Sequence, residues 1–119
     1  MILVDTSVWV AHFKSANRML VELLEDNEVA IHNFIIGELA CGQLKNRQEI
    51  LGLLKTLPEV LPVTHEEALY FVDSYKLYGV GIGWVDSHLL ASVIAGGFSL
   101  WTNDRSLSKI ASKLEVSFS

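Results

Sequence analysis

Cysteine is nearly missing: Cys41 stands alone among 119 residues. That excludes an internal disulfide and any zinc site built on several thiolates, and a lone thiol of this kind reads as a small buried residue. Proline occurs twice and glycine eight times, and no linker, low-complexity tract or internal repeat divides the chain. Residues 1–119 therefore read as a single domain. No apolar stretch approaches the roughly 18 residues needed to span a bilayer, since the richest, Leu89 to Trp101, is broken by Ser92, Gly96, Gly97 and Ser99. The opening Met1-Ile2-Leu3-Val4-Asp5 has no basic segment and sets a carboxylate where an export signal is apolar, so no membrane association and a cytoplasmic location are expected. A basic excess is lacking too. Nine Lys and Arg face 14 Asp and Glu, for a net charge of −5 and a pI near 5.2, which argues against gripping nucleic acid by general basicity. A nucleic-acid substrate stays open, because with four acids gathered round a metal the remaining ten would nearly balance the nine basic residues.

What the chain does have is apolar content, 50% of its residues with a mean hydropathy of +0.35, enough to bury a sizeable core. The apolar runs Ile2–Val4, Val29–Ile31, Val60–Val63 and Phe98–Trp101 read as strands, with Val116–Phe118 as a fifth candidate. Helical spacing marks Val8–Phe13, Met19–Leu24, Phe34–Leu44, Ile50–Leu57, a segment from Thr64 to Tyr78, Leu89–Ala95 and Asp104–Leu114. Thr64-His65-Glu66-Glu67 is a capping box. Leu89–Ala95 is apolar nearly all round and predicts a buried helix ended by Gly96-Gly97. Strands separated by helices need crossover connections. The expected fold class is α/β, with three α/β/α layers around a mainly parallel central sheet of four or five strands.

In such sheets ligands bind beyond the carboxyl ends of the strands. Asp5 follows the first strand and Asp104 follows Phe98–Trp101 across Thr102-Asn103, so both sit at that edge. Glu38 lies one turn into a helix among Ile35, Ile36, Leu39 and Ala40, and Asp86 opens the buried helix after Gly83-Trp84-Val85. Taken singly, Asp5, Asp86 and Asp104 are good helix N-caps, and Glu38 fits a surface position or a pair with Lys45. Four carboxylates converging from four segments are not explained by capping. A hard divalent cation explains them, because it takes oxygen ligands and offsets their repulsion.

Other chemistries lack their signatures. His12, His32, His65 and His88 are scattered, and Asp86-x-His88 has the wrong helical spacing for a shared zinc. There is no G-x-S-x-G elbow, no Walker sequence, and Gly79-Val80-Gly81-Ile82-Gly83 lacks dinucleotide-binding spacing and reads as a flexible connector. The aromatics Trp9, Phe13, Phe34, Trp84 and Trp101 cluster in sequence near the acids and read as core, with Trp9 and Phe13 alternatively lining a groove or an oligomer contact.

Four segments in order, Ile2-Leu3-Val4-Asp5-Thr6-Ser7-Val8-Trp9, Gly37-Glu38-Leu39-Ala40-Cys41-Gly42, Trp84-Val85-Asp86-Ser87-His88-Leu89-Leu90-Ala91 and Leu100-Trp101-Thr102-Asn103-Asp104-Arg105, resemble the PIN-domain ribonucleases, and in particular the VapC-type toxins of toxin–antitoxin pairs. The resemblance covers nearly the whole chain. It implies a Mg²⁺-dependent endoribonuclease, with Mn²⁺ as a possible substitute, whose four acids fall on Asp5, Glu38, Asp86 and Asp104, with Asp5 and Asp86 as principal ligands. It also implies an RNA substrate (tRNA, rRNA or mRNA), a cognate antitoxin that inserts into the active-site groove, and a homodimer. Two departures stand out: Ser106 and Leu107 replace a second Asp and a Phe that often follow the fourth acid, and Asn33-Phe34 stands where a proline often precedes the Glu-bearing helix.

Thr6, Ser7, Thr102 and Asn103 are placed to hold the acids or their waters. Lys14, Arg18, Lys45 and Arg47 fit phosphate contacts or, equally, solvated helix surface. The competing class is a non-catalytic Mg²⁺-binding module, PIN-like or receiver-like. A receiver needs a phosphoacceptor Asp after its third strand, where this chain has Thr64-His65.

Overall fold

The computed structural model describes residues 1–118. Strand β1 (Ile2–Val4) lies at the centre of a parallel sheet of order β2-β1-β3, with β2 at Val29–Ala30 and β3 at Ser99–Trp101. Leu3 pairs with Ala30 on one side and Leu100 on the other. Successive strand side chains point to opposite faces. Leu3 and Val4 are both fully buried, so both faces of β1 are covered, as a layered α/β fold requires. Among the described residues seven helices follow the strands: α1 (Thr6–Lys14), α2 (Arg18–Glu25), α3 (Asn33–Cys41), α4 (Arg47–Leu54), α5 (His65–Tyr75), α6 (Trp84–Gly96) and α7 (Arg105–Lys113). Helix α1 packs on α3, α3 on α4, and α5 on α6, which also covers β3.

The sheet is narrower than expected. Three regular strands form among the described residues, and the expected outer strands Val60–Val63 and Val116–Phe118 shrink to isolated parallel bridges, Ile31 with Glu59 and Leu100 with Ser117. Pro58 and Pro62 flank the first and donate no N–H, so the pairing there is confined to Ile31 N–H to the Pro58 carbonyl at 2.8 Å and Val60 N–H to the Ile31 carbonyl at 2.9 Å. The second is entered through Glu115, whose φ of +62° turns the chain sharply out of α7, and Leu100 then bonds both Val116 and Phe118.

Helix α6 is the buried element its composition predicts: Ser87 to Val93 are all buried. Full burial of Leu89, Leu90 and Val93 contributes about 1.5–3 kcal/mol each. The helix starts earlier than Leu89, at Trp84, and ends at Gly97, where φ of +72° favours glycine. The capping box at α5 is present in both directions, Thr64 N–H to Glu67 Oε1 at 2.8 Å and Glu67 N–H to Thr64 Oγ1 at 3.1 Å. That helix stops at Tyr75 rather than Tyr78, because Lys76 takes the left-handed conformation. Helix α3 likewise stops at Cys41 rather than Leu44.

Cys41 is exposed rather than buried. The buried residues of α3 are Ile35 and Leu39, and two helical steps of about 100° carry Cys41 roughly 200° from Leu39. Trp9 is buried as read and stacks on Phe13 at 5.9 Å. Phe34 and Trp84 are exposed, contrary to the core reading. Among the described residues no helix is long and apolar enough to cross a membrane.

Candidate active site

The carboxyl ends of β1 and β3 lie side by side, tied by Asp5 N–H to the Trp101 carbonyl at 2.8 Å. Asp5 leaves the sheet there, and its main-chain carbonyl begins α1. Its side chain does not cap that helix. Instead, Oδ2 accepts Ser7 Oγ–H and Thr102 Oγ1–H, each at 2.8 Å, and the residue is only 7% exposed. The β3 turn is stitched to the same place, since Asn103 N–H donates to Ser7 Oγ at 2.9 Å and Asp104 N–H to Thr102 Oγ1 at 3.0 Å. Both hydroxyls thus hold one oxygen of Asp5, leaving Oδ1 the lone pairs for a ligand.

Glu38 reaches this edge from the second turn of α3, where Thr6 Oγ1–H donates to Oε1 at 2.6 Å. The alternative pairing with Lys45 is not formed. Asp104 does cap α7, accepting Leu107 N–H at 2.9 Å. Asp86 is not an N-cap, for it sits in the first turn of α6 and accepts Gly83 N–H at 3.2 Å. Burial pushes the Asp86 carboxyl above the ordinary aspartate range. The Gly83 N–H partly offsets this, while Asp5, Asp104 and Glu38 each add to the rise. Asp86 thus feels the charge of three other acids, each carried by a different segment. Neither ion pair recorded among the described residues, Met1 with Glu28 and Arg18 with Glu22, neutralises any of them.

The acids are near one another without being closed into a cage. Among the described residues no three Asp, Glu, His or Cys side chains stand ready to hold a metal ion. Glu38, Asp86 and Asp104 each turn an oxygen to a protein donor instead. The donor set is nonetheless all oxygen, carboxylate-rich and uncompensated by protein cations, which fits a hard divalent ion and not a thiolate- or imidazole-bound one.

The basic residues divide. Lys14 and Lys45 line a groove of about 670 Å³ beside Glu38, together with Val10, Phe13 and Leu44. Arg47 donates to the Ala40 carbonyl at 2.9 Å, Arg18 makes only a loose surface pair with Glu22 at 3.8 Å, and neither is among the residues lining that groove.

Sequence reading missed a row of rings. His32 and Phe34 lie 4.9 Å apart, Phe34 and His88 5.0 Å, His88 and Trp84 4.7 Å, and Trp84 and His65 5.2 Å, centroid to centroid. Burial lowers the His88 pKa, with His65 adding to the effect. His32 is lowered chiefly by burial and also by His88, against a smaller pull from Glu59. The available signal was spacing: Phe34 and Glu38, like Trp84 and His88, are four apart and share a helix face.

Known proteins resemble this chain. The family model for the PIN domain matches residues 2–113. Ribonuclease VapC32 of Mycobacterium tuberculosis, in two strains, is 49% identical over 108 residues, which cover 90% of this chain and 87% of the relative. A crystal structure of PAE2754 from Pyrobaculum aerophilum superposes with a TM-score of 0.65 at 16% identity, covering 98% of this chain and 87% of that one, and supports the fold. PIN-domain nucleases generally depend on a divalent metal. A matching domain over nearly the full chain and a relative at almost half identity make this chain a member of the PIN-domain family, among the VapC-type ribonucleases.

Proposed function

We propose that the chain is a metal-dependent endoribonuclease toxin, using Mg²⁺ with Mn²⁺ as a substitute, silenced by a cognate antitoxin. The observation that carries the site assignment is Asp5: buried, uninvolved in capping, and held through one oxygen by hydroxyls from two different segments. Asp5 and Asp86 are the principal ligands in this reading, with Glu38 and Asp104 completing the set or holding its waters. When bound, the ion supplies a water acidic enough to attack at neutral pH and offsets charge growing on the phosphoryl oxygens.

The protein's own part is orientation. Ser7 and Thr102 fix the Asp5 carboxylate, Thr6 fixes Glu38 through Oε1, and Asn103 contributes its main-chain N–H to Ser7. Glu38 Oε2 is left to accept a hydrogen of the attacking water and so to aim it. Lys14 and Lys45 flank the groove that leads to Glu38, a position suited to phosphates of the bound strand. The homodimer and the antitoxin belong to the same proposal, resting on VapC kinship.

A catalytically silent PIN-like scaffold would have no use for an Asp5 pinned in this way. RNA cleavage with EDTA, then with Mg²⁺ restored, is the direct test, with Asp5→Asn as control. Metal-reversible cleavage lost in the folded variant is expected. Cleavage indifferent to EDTA overturns the reading.

A further inference from the structure

Beside the acids lies a surface made for something flat. Phe34 stands one helical turn, about 6 Å along the axis, before Glu38 on α3. Trp84 and His88 share one face of α6, four residues apart, with Asp86 on another side of the same first turns, so the rings reach the acids through Phe34 and Glu38. The His88 ring is buried, 5% exposed, and meets both neighbours edge-on, at 69° to Phe34 and 86° to Trp84. Phe34 and Trp84 are 40% and 39% exposed. One buried ring thus braces two exposed rings, one from each acid-bearing helix. The core has no need of them, since α3 buries Ile35 and Leu39 and α6 buries Leu89, Leu90 and Val93. The depression between the helices, lined by Phe34, Gly37, Glu38, Cys41 and Val85, is continuous with the acids through Glu38.

The charge of the molecule says what such a surface is for. A net charge of −5 and four acids at the cleavage edge repel a polyanion, and two of the four candidate phosphate-binding side chains, Arg18 and Arg47, do not line the groove beside Glu38. Lys14 and Lys45 supply charge on the other side of Glu38, and an uncharged source of affinity would add to theirs. Stacking of bases on aromatic rings is such a source, and it tolerates any base because every base has a π-face.

We propose that Phe34 and Trp84 form a braced shelf on which an unpaired nucleobase next to the scissile phosphate stacks, selecting RNA whose bases at the cut are free to splay out. This rests on the four acids being the catalytic centre.

The test uses the full chain in Mg²⁺ and a pool of random single-stranded RNA 20-mers, with the same pool annealed to its complement. Phe34→Leu and Trp84→Leu each raise KM about tenfold, equivalent to about 1.4 kcal/mol, while kcat changes little, and Trp84→Phe restores most of the loss. The salt dependence of binding keeps its slope, because no phosphate contact is removed. Annealed RNA is cut poorly by every form. Should the leucine variants misfold, wild-type protein still reports, through quenching of its exposed tryptophan by the single-stranded pool in EDTA. Unchanged KM in both folded leucine variants overturns the shelf, as does a shift from dimer to monomer on sedimentation with KM per site unchanged, which would make the surface a contact between copies. Failure of the catalytic assignment looks different: Asp86→Asn would then cleave normally, whatever the rings do.

Discussion

Thr102 Oγ1 donates to Asp5 Oδ2 at 2.8 Å across 97 positions of sequence. The same oxygen accepts Asp104 N–H at 3.0 Å, so one hydroxyl locks the first acid and the turn bearing the fourth into a single unit.

Replacing Thr102 by Val removes both bonds at nearly constant volume. RNA cleavage is expected to fall about 10- to 100-fold, the range for losing a partner that orients a metal ligand. The melting temperature should report a loss of only about 1 kcal/mol. Steady-state kinetics beside thermal melts separate the two. A cleavage rate that falls no further than the stability loss explains would make Thr102 structural alone.

How much of this was legible beforehand depends on the reach of each interaction. The apolar triplets of β1 and β3, each followed by an acid within three residues, are local and readable. So is α6, whose apolar run leaves it no solvent face. Asp5 is misleading locally, because Asp5-Thr6-Ser7 looks like a choice of caps and the deciding partner is far along the chain. Val60 to Val63 looks like a strand by its side chains. The pairing is decided by missing N–H groups at Pro58 and Pro62. The ring row is hidden for the first reason: each helix shows its own four-residue spacing, but only the fold sets Phe34 against His88.

His32 predicts a pH effect. Its Nδ1 accepts Phe34 N–H at 2.9 Å, so the neutral ring carries its proton on Nε2, which is buried without a partner among the described residues. Its folded pKa is lowered, first by burial, so the unfolded chain binds more protons below the ordinary histidine value of about 6.5. Stability is therefore highest above that pH and declines as pH falls through it. His32→Asn keeps an acceptor for the Phe34 N–H and removes the titration. Melts between pH 7.5 and about 5.5 should show a flatter profile for the variant, and parallel profiles would sink the assignment.

The lysines of the groove and the two arginines outside it should differ in RNA binding. Lys14→Ala and Lys45→Ala are each expected to weaken binding and to lower the salt slope by about one. Arg18→Ala, which loses the Glu22 pair, and Arg47→Ala, which loses a bond to the Ala40 carbonyl, should leave that slope unchanged. Titrations of labelled RNA at several salt concentrations decide it. A larger effect from either arginine than from the lysines would place the strand elsewhere.

The acids themselves predict a reversal of stability on adding metal. Asp86, whose carboxyl is raised first by burial and then by Asp5, Asp104 and Glu38, bears a like-charge repulsion that neither ion pair recorded among the described residues offsets. A raised folded pKa means that Asp86 stabilises the fold while protonated and loses that contribution as pH climbs through the raised value. At neutral pH in EDTA, Asp86→Asn removes one charge at nearly constant volume and keeps an oxygen for the Gly83 N–H. The variant should then be at least as stable as the wild type, and its advantage should shrink as pH falls toward the ordinary aspartate range, about 4. Mg²⁺ should invert the order. An ion that binds only the folded state adds about 2.7 kcal/mol at a hundred times its Kd, and the variant binds it poorly. Were Asp86 merely a helix-start residue, the change to Asn would be small and indifferent to metal. Melts of both proteins in EDTA and in millimolar Mg²⁺ distinguish these outcomes, and a wild-type melting temperature that Mg²⁺ does not move argues against Asp86 as a ligand.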